Sequence, residues 1–250
     1  MKTLQKISII TPTFNSGKFL TYNLLSVKKQ NFSNYEHIIV DNCSSDNTLE
    51  TIKNFDSKKI KIISEADNGI YDAINKGIKL SSGDIISILH SDDEYFDENV
   101  LSKIENAFKN YQTEIVYGNL IYTSNENINK TIRTWKSSDY IANNFKRGWN
   151  PPHPSFFVKK RLHEEYGYYL PELGNSADIE LMFRLLEIKT IKSKFLNEFF
   201  VKMRLGGKSN NSIMQILKQN ITIVKFLKLN RFGIIKFFIL KLFNRLKQFI

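Results

Sequence analysis

The chain has 250 residues, with 36 lysines and arginines against 25 aspartates and glutamates, and a formal net charge of +11. Hydrophobic residues make up 42% and charged residues 24%, which is typical of a globular chain and excludes a disordered or collagen-like protein. The single cysteine, Cys43, excludes a disulfide framework within the chain and a zinc site built from cysteines.

The first half of the chain alternates short apolar runs with helical patterns. Strands are predicted at 7–10, 37–40, 60–63 and 85–89, and helices at 17–29, after an N-cap at Asp46, and at 69–80. This alternation predicts an α/β fold with a parallel sheet, in which ligands bind beyond the carboxyl ends of the strands. The residues at those ends are Thr11, Asp41, Glu65 and Asp92.

The second half has a mixed pattern without internal repeats. Strands are predicted at 117–122, 131–135 and 155–158, a helix at 177–187 and an extended segment at 191–203. The strands at 117–122 and 131–135 are expected to pair around the asparagine-rich turn 125–129. We expect one domain over residues 1–211 and a separate helical tail over 212–250.

The tail holds most of the excess charge. Residues 1–200 carry 25 basic and 25 acidic side chains, whereas residues 201–250 carry 11 basic side chains and no acidic one. Two amphipathic helices, divided near Gly233, are predicted, and two interpretations stay open: an anchor on a membrane surface, or helices packed on the domain with solvated lysines. The apolar stripe argues against a nucleic-acid partner.

Membrane-spanning and exported proteins are not indicated by the pattern. No apolar stretch approaches the roughly 20 residues that a spanning helix needs. The short apolar run 7–10 ends at once in Thr11-Pro12, which is unlike a signal peptide. We therefore expect a cytoplasmic protein.

Acidic residues supply the candidate sites. Asp92 and Asp93 follow a predicted buried strand, where a divalent cation would relieve their repulsion; the alternative is an Asx turn that caps the next helix. Asp41 suits a hydrogen bond from a pyrimidine imide, or is a turn residue. Asp178 and Glu180 open a helix, where the dipole favours acids, and a carboxylate in a pocket there can be a general base.

Two loops complete the set of candidates. His153 lies in the rigid segment Pro-Pro-His-Pro at 151–154, which suits a binding edge or a turn. The segment 203–210 places Arg204 and Lys208 around a glycine pair, which suits a diphosphate. The chain shows no phosphate-binding loop of the P-loop type and no Gly-x-Gly-x-x-Gly motif, which argues against nucleotide hydrolysis and dinucleotide redox chemistry.

Taken in order, these segments resemble the inverting family-two glycosyltransferases of the GT-A fold. The resemblance covers about residues 5–210 and is strongest to the branch that builds bacterial surface polysaccharides, including colanic-acid-type enzymes. The segments that carry it are ISIITPTFN at 7–15, HIIVDNCSSDNT at 37–48, DNGIYDAINKG at 67–77, SGDIISILHSDD at 82–93, PHPSFFV at 152–158, SADIELMFR at 176–184 and MRLGGKSN at 203–210.

The resemblance implies a mixed, mostly parallel Rossmann-like sheet with flanking helices, and a nucleoside-diphosphate sugar of UDP, GDP or dTDP as donor. Asp92 and Asp93 would hold Mg²⁺ or Mn²⁺, and His90 stands where many members have the first Asp of the metal motif. Asp178 would be the catalytic base, with His153 and Trp149 on the acceptor side, and Arg184 would support the helix. The implied donor-binding residues are Thr11, Pro12, Asp41, Asp67, Gly69, Asp72, Ser91, Arg204, Lys208 and Ser209.

The resemblance also implies a setting. Polysaccharide repeat units are built on lipid-diphosphate carriers, so we expect a lipid-linked acceptor and a peripheral position on the inner face of the cytoplasmic membrane. Two alternatives from other classes remain open: a sugar-phosphate nucleotidyltransferase, and a degenerate transferase that acts as a binding subunit, which His90 alone favours.

Overall fold

The computed structural model describes residues 5–55, 57–110, 112–206 and 213–249, and it has the α/β architecture that the pattern predicts. The strands are β1 Ile7–Thr13, β2 Tyr35–Asp41, β3 Ile60–Ser64, β4 Ile85–Ile88, β5 Glu94–Tyr95, β6 Ile115–Thr123, β7 Thr131–Trp135, β8 Phe156–Lys159 and β9 Ser193–Arg204. The helices are α1 Leu20–Lys28, α2 Thr48–Lys53, α3 Ile70–Leu80, α4 Val100–Phe108, α5 Lys160–Tyr166, α6 Ala177–Phe183, α7 Ile213–Phe226 and α8 Arg231–Leu246.

The strands form one mixed sheet in the order β3-β2-β1-β4-β8-β6-β9-β5, with β7 paired to β6. β1 pairs in parallel with both β2 and β4. The chain first adds β2 and β3 on one side of β1 and then adds β4 on the other side, so the strand order reverses between β1 and β4. The loops that follow these two strands diverge and leave a crevice, which is where open α/β sheets bind ligands. The pairing of β6 with β7 matches the predicted hairpin.

The sheet separates two apolar clusters because alternate side chains of each strand point to opposite faces. Ile10 belongs to the cluster that includes α3 and α6, whereas Ile7 and Ile9 belong to the cluster that includes α4. All seven residues of β1 are buried, as expected for a strand covered on both faces.

Several local predictions need correction. Asn47, not Asp46, is the N-cap of α2, although the Asp46 carboxylate accepts from the main-chain N–H of Thr48 at 3.0 Å. α5 was not predicted, because only Leu162 and His163 of its residues are buried and it shows no apolar stripe. Neither Asp92 nor Asp93 caps the next helix, whose N-cap is Asn99.

The tail packs on the domain with one face. Ile223, Leu227 and Phe237 are buried in the same apolar cluster as α3 and α6. The break between the tail helices lies before Asn230, whose side chain accepts from the main-chain N–H of Gly233 at 2.8 Å. The prediction that Gly233 divides the helices is therefore wrong, because this residue lies inside the first turn of α8.

The other face of the tail is apolar and exposed. Its large exposed side chains include Met214, Leu217, Ile221, Phe232, Ile235, Phe238, Ile239, Leu242, Phe243 and Leu246. Of the helices in the described ranges, none has the length and apolar character that crossing a bilayer requires.

Candidate active site

The loops after β1, β2 and β4, residues 14–19, 42–47 and 90–93, are fastened to one another at the crevice, and we call them the switch-point loops. Asn15 adopts a φ of 48° and accepts from the main-chain N–H of Ser45 at 2.9 Å. The main-chain N–H of Ser16 donates to Thr48 Oγ1 at 2.8 Å. The hydroxyls of Ser16 and Ser91 lie 2.8 Å apart, which joins the first loop to the third.

Asp41 ends β2 with a fully buried carboxylate. It accepts from the main-chain N–H of Ser44 at 3.0 Å, from the hydroxyl of Ser64 at 2.7 Å and from the hydroxyl of Ser44. These three hydrogen bonds fix its orientation at the carboxyl edge of the sheet, where the sequence placed the base-binding carboxylate.

Thr11 and Pro12, which were expected to line the nucleotide pocket, are buried within β1. The Thr11 hydroxyl lies 2.8 Å from Nε2 of His37, and burial lowers the pKa of His37 to about 3. The Thr11 side chain is therefore committed to a neutral histidine inside the sheet and does not reach an open pocket.

The loop before α3 brings the predicted donor residues Asp67, Gly69 and Asp72 together. Gly69 has a φ of 108°, a conformation that side chains rarely adopt, and its N–H donates to Asp67 Oδ1 at 2.8 Å. Asp72 accepts from the main-chain N–H of Asn68 at 2.9 Å. Burial raises the pKa of Asp67. A rigid acidic turn therefore opens α3 beside the crevice.

The segment 90–93 separates its two carboxylates. Asp93 is fully buried, and its oxygens form no standard hydrogen bond within the described residues. Burial, and next the charge of Asp92, raise the pKa of Asp93 well above its usual range. Asn23 holds the turn by donating to the main-chain oxygens of His90 and Asp93 at 2.8 and 3.1 Å. The prediction of Asp93 as a metal ligand is therefore corrected, because this carboxyl points into the core.

Asp92 is half-buried and stays at the crevice, and His90 has a buried Nδ1 without a partner in the described part of the chain. Among the residues that the structure describes, no three His, Cys, Asp or Glu side chains are grouped to hold a metal. One carboxylate still fits Mg²⁺ or Mn²⁺, because such ions take one or two protein carboxylates and complete their coordination with substrate phosphates.

Arg204 does not reach the crevice as expected. It is buried, its guanidinium pairs with Glu94 at 2.7 Å, and it lies over the ring of Phe19 at 4.8 Å. The predicted closure over a diphosphate is therefore corrected for this residue, which instead neutralises Glu94. Lys208 and Ser209, predicted to act with it, lie outside the described residues.

A cavity of about 590 Å³ opens beside the crevice, within the range of small-molecule sites. Asp178, at the start of α6, lies in its wall and accepts from the main-chain N–H of Ile179 at 2.7 Å and from the Tyr71 hydroxyl. Burial raises the pKa of Asp178 to about 6. The carboxylate is thus ionised at neutral pH and basic enough to accept a proton.

His153 and Trp149 line the same cavity, as expected for the acceptor side. His153 Nε2 lies 2.8 Å from the Tyr169 hydroxyl, and burial lowers the pKa of His153 to about 3. Its imidazole is therefore a neutral wall residue. The side-chain amide of Asn75 in α3 holds the main chain of Tyr169: it donates to the Tyr169 oxygen at 2.9 Å and accepts from the Tyr169 N–H at 3.1 Å.

Arg184 has the structural role that was predicted for it. Its guanidinium binds both carboxylate oxygens of Glu180, at 3.0 and 2.7 Å, and donates to the main-chain oxygens of Tyr166 and Tyr168. These four hydrogen bonds do not leave the side chain free for substrate. The two to Tyr166 and Tyr168 tie the end of α6 to the segment before it.

Sequence reasoning missed the cations of the cavity. Arg133 of β7 and Lys241 and Arg245 of α8 lie in its wall. Burial lowers the pKa of Lys241 to about 8, and Asp178 opposes that effect, which places the two charges near each other. The available signal was the spacing of Lys241 and Arg245, which share one face of a helix, but both interpretations of the tail directed its cations to a membrane surface or to solvent.

A family model described as Glycosyl transferase family 2 matches residues 8–165. The PGL/p-HBAD biosynthesis glycosyltransferase of Mycobacterium bovis is 26% identical over 211 residues, which cover 83% of this chain and 80% of the relative. WfgD of Escherichia coli, named UDP-Glc:alpha-D-GlcNAc-diphosphoundecaprenol beta-1,3-glucosyltransferase, is 32% identical over 123 residues, 49% of this chain and 48% of that protein.

Among solved structures, Staphylococcus aureus TarS 1-349 in complex with UDP-GlcNAc superposes with a TM-score of 0.68 at 18% identity, covering 92% of this chain and 69% of that one. This likeness covers most of the chain, and it confirms the GT-A fold class that the sequence predicts. Asp178 and the tail lie beyond the range of the family match.

Proposed function

The chain belongs to glycosyl transferase family 2, and from this premise we propose that it transfers a sugar from a nucleoside-diphosphate sugar to an acceptor hydroxyl with inversion at the anomeric carbon. The observation that carries the proposal is Asp178, a carboxylate in the wall of a large cavity with a pKa raised to about 6. A base of this strength, beside the crevice where the sheet changes direction, suits the activation of a hydroxyl.

In the proposed reaction, Asp178 removes the proton of the acceptor hydroxyl, whose oxygen attacks the anomeric carbon opposite the leaving nucleoside diphosphate. One displacement forms the new C–O bond and breaks the bond to the diphosphate, so the configuration inverts. Tyr71 donates to Asp178, and together with the Ile179 N–H it orients the carboxylate. Mg²⁺ or Mn²⁺ bound at Asp92 would offset the negative charge of the leaving diphosphate.

For the donor side we propose that Asp41 accepts from the base, and that the acidic turn at Asp67, Gly69 and Asp72 lines the sugar-nucleotide site with Ser91. The names of TarS in complex with UDP-GlcNAc and of the UDP-Glc transferase WfgD support a nucleotide sugar. UDP, GDP and dTDP sugars are distinguished by a thermal-shift screen, with and without Mn²⁺.

The test of the base uses Asp178→Asn, with Glu172→Gln, an exposed carboxylate six residues earlier, as the matched control. With the donor found in the screen, transfer of labelled sugar into the organic extract of bacterial membranes is measured. We expect Asp178→Asn to lower transfer by about 10³-fold and to leave donor binding unchanged. Transfer by Asp178→Asn at the wild-type rate would remove this residue from the base role.

We further propose that the acceptor is lipid-linked, that the pathway builds a surface polysaccharide, and that the tail holds the enzyme on the inner face of the cytoplasmic membrane. The exposed apolar face of α7 and α8 and the basic charge of the tail support this placement. The E. coli relative is named for a diphosphoundecaprenol acceptor.

Membrane attachment is tested by flotation with vesicles that contain anionic lipid. Phe232 and Ile235 are 85% and 59% exposed on the tail, and Leu80 is 52% exposed on α3. We expect Phe232→Ser with Ile235→Ser to reduce flotation, and Leu80→Ser to leave it unchanged. Equal flotation of all variants would favour the interpretation of the tail as helices that only pack on the domain.

A further inference from the structure

The cavity has one strongly basic wall, which we call the cation wall. Five lysine and arginine side chains line the cavity. Among the described residues that line it, Asp178 is the one that is acidic. These cations come from β7 and the segment after it and from the end of the tail, and none belongs to the switch-point loops. They are Arg133, Lys136, Lys241, Arg245 and Lys247.

The members of the cation wall lack carboxylate partners. No salt bridge joins any of them to a carboxylate within the described ranges, where Lys241 Nζ donates to Asn220 Oδ1 at 2.7 Å and Arg133 Nη1 donates to Gln248 Oε1 at 2.9 Å. Arg245 is close enough to lower the pKa of both Lys241 and Arg133, in each case after the larger effect of burial. Three neighbouring cations that repel one another are stabilised by an anion.

The cation wall is also held in place. Gly148 has a φ of 71°, and a Cβ there would lie 2.8 Å from Cα of Lys241, so α8 packs directly on the loop that carries Trp149. Arg133 lies over the ring of Tyr122 at 3.7 Å. The cations are therefore fixed relative to the cavity and to Asp178, as a binding site requires.

We propose that the cation wall binds the diphosphate of a lipid-linked acceptor and so presents the acceptor sugar to Asp178. This inference rests on the proposed function and adds to it the acceptor-recognition residues, three of which belong to the tail. Diphosphate carries several negative charges and multiple acceptor oxygens, which suit the forked guanidinium groups of Arg133 and Arg245 with Lys241.

The apolar residues beside the cations on α8 favour a diphosphate attached to a hydrocarbon chain over a free diphosphate. Leu242, Phe243 and Leu246 alternate with Lys241 and Arg245 along α8 and are exposed. One helix thus offers charge to a head group and apolar surface to the chain attached to it, which is the arrangement of an interfacial helix.

The experiment measures binding of farnesyl diphosphate to the full chain in EDTA, below its micellar concentration. Both tryptophans of the chain, Trp135 and Trp149, line the cavity, so their fluorescence reports occupancy. Lys241→Gln and Arg245→Gln are compared with Lys236→Gln, an exposed lysine of the same helix outside the cavity lining. Lys241→Arg keeps the charge, and far-ultraviolet circular dichroism checks the fold of each variant.

We expect each glutamine substitution at Lys241 and Arg245 to weaken binding by at least about tenfold, because a charge-assisted hydrogen bond is lost. Lys241→Arg should bind within about threefold of wild type, and Lys236→Gln should be unchanged. Farnesol should not compete, and inorganic pyrophosphate should compete more weakly than farnesyl diphosphate. Pyrophosphate that competes equally well would assign the site to free diphosphate and overturn the lipid-linked assignment.

Equal binding by wild type and Lys241→Gln, or absence of farnesyl diphosphate binding by the wild type, would overturn the proposal. Binding of UDP with Mn²⁺ is measured on the same proteins. If the wild type binds the nucleotide but the substitutions in the cation wall do not weaken farnesyl diphosphate binding, this inference alone is overturned. If the protein binds no UDP, GDP or dTDP sugar, the proposed function is overturned as well.

Discussion

The switch-point loops and the cavity beneath the tail are built in opposite ways. In the loops, polar side chains such as Asn15 and Asp41 are satisfied by neighbours within the same region. In the cavity, Asp178 and Lys241 have shifted pKa values and the cations lack carboxylate partners in the described chain. Apart from Asp93, which is buried without a standard hydrogen bond in the described chain, the first region satisfies its polar groups internally. The second keeps several cations around one carboxylate, an excess of positive charge that an anionic ligand can offset.

The largest effect is expected in the loops. Asp41→Ala removes the buried acceptor of three partly buried hydrogen bonds, so we expect the free energy of unfolding to fall by about 3 kcal/mol. Urea unfolding measures the loss, and Asp139→Ala, at an exposed aspartate, is the control. A loss equal to that of the control would show that the loops are not held by these bonds.

The same kind of change should have the opposite sign in the cavity. Ionised Asp178 is destabilising because its pKa is raised from 3.8 to about 6, so we expect Asp178→Asn to raise the free energy of unfolding at pH 8 by up to about 2 kcal/mol. The gain should be complete above pH 6 and fade as the pH falls toward 4, where the native carboxyl binds its proton. Destabilisation by Asp178→Asn at pH 8 would break the contrast between the two regions.

The pH dependence of activity should come from the cavity alone. We expect kcat/KM for the acceptor to fall about tenfold per pH unit below about pH 6, where Asp178 is protonated, and above about pH 8, where Lys241 loses its charge. Donor affinity should stay level between these limits. Tyr71→Phe should move the acid limb to higher pH, because the Tyr71 hydroxyl lowers the pKa of Asp178. If the activity of Lys241→Arg still falls above about pH 8, the alkaline limb of the profile belongs to a group other than Lys241.

The smallest effect is expected at Gly69. A Cβ there would meet no atom within 4 Å, so Gly69→Ala introduces only the strain of a side chain at a φ of 108°, about 1 kcal/mol. We expect a lower melting temperature, weaker donor binding and, because Gly69 is the N-cap of α3, a smaller loss of acceptor affinity. Asn68→Ala, at the exposed neighbour, is the control. Unchanged acceptor affinity would show that α3 does not couple the donor loop to the cavity.

Local pattern was enough to predict most of the sheet and the carboxyl edge at which the crevice lies. Continuous apolar runs predicted β1, β2 and β4, and the rule for strand ends placed Asp41 and Asp92 at the crevice. The resemblance to the GT-A glycosyltransferases singled out Asp178, which the structure places in the wall of the cavity.

What the sequence did not predict depends on depth and on distant contacts. Asp92 and Asp93 are adjacent and chemically equal, yet the turn held by Asn23 buries only the second carboxylate. Arg204 was assigned to an anion, but Glu94 lies 2.7 Å away across a strand pair. Lys241 is separated from Asp178 by 63 positions in the numbering, and no local pattern indicates that they approach.

Helix α3 serves both halves of the site. Its first turn carries the acidic loop at Gly69 and the Tyr71 hydroxyl that contacts Asp178, and one turn later Asn75 clamps Tyr169, the partner of His153. A helix moves as a rigid rod, so a displacement at the donor loop is transmitted to the base and to the acceptor wall together. The order in which the two substrates bind is therefore expected to matter, because the first one to arrive sets the position of the rod for the second.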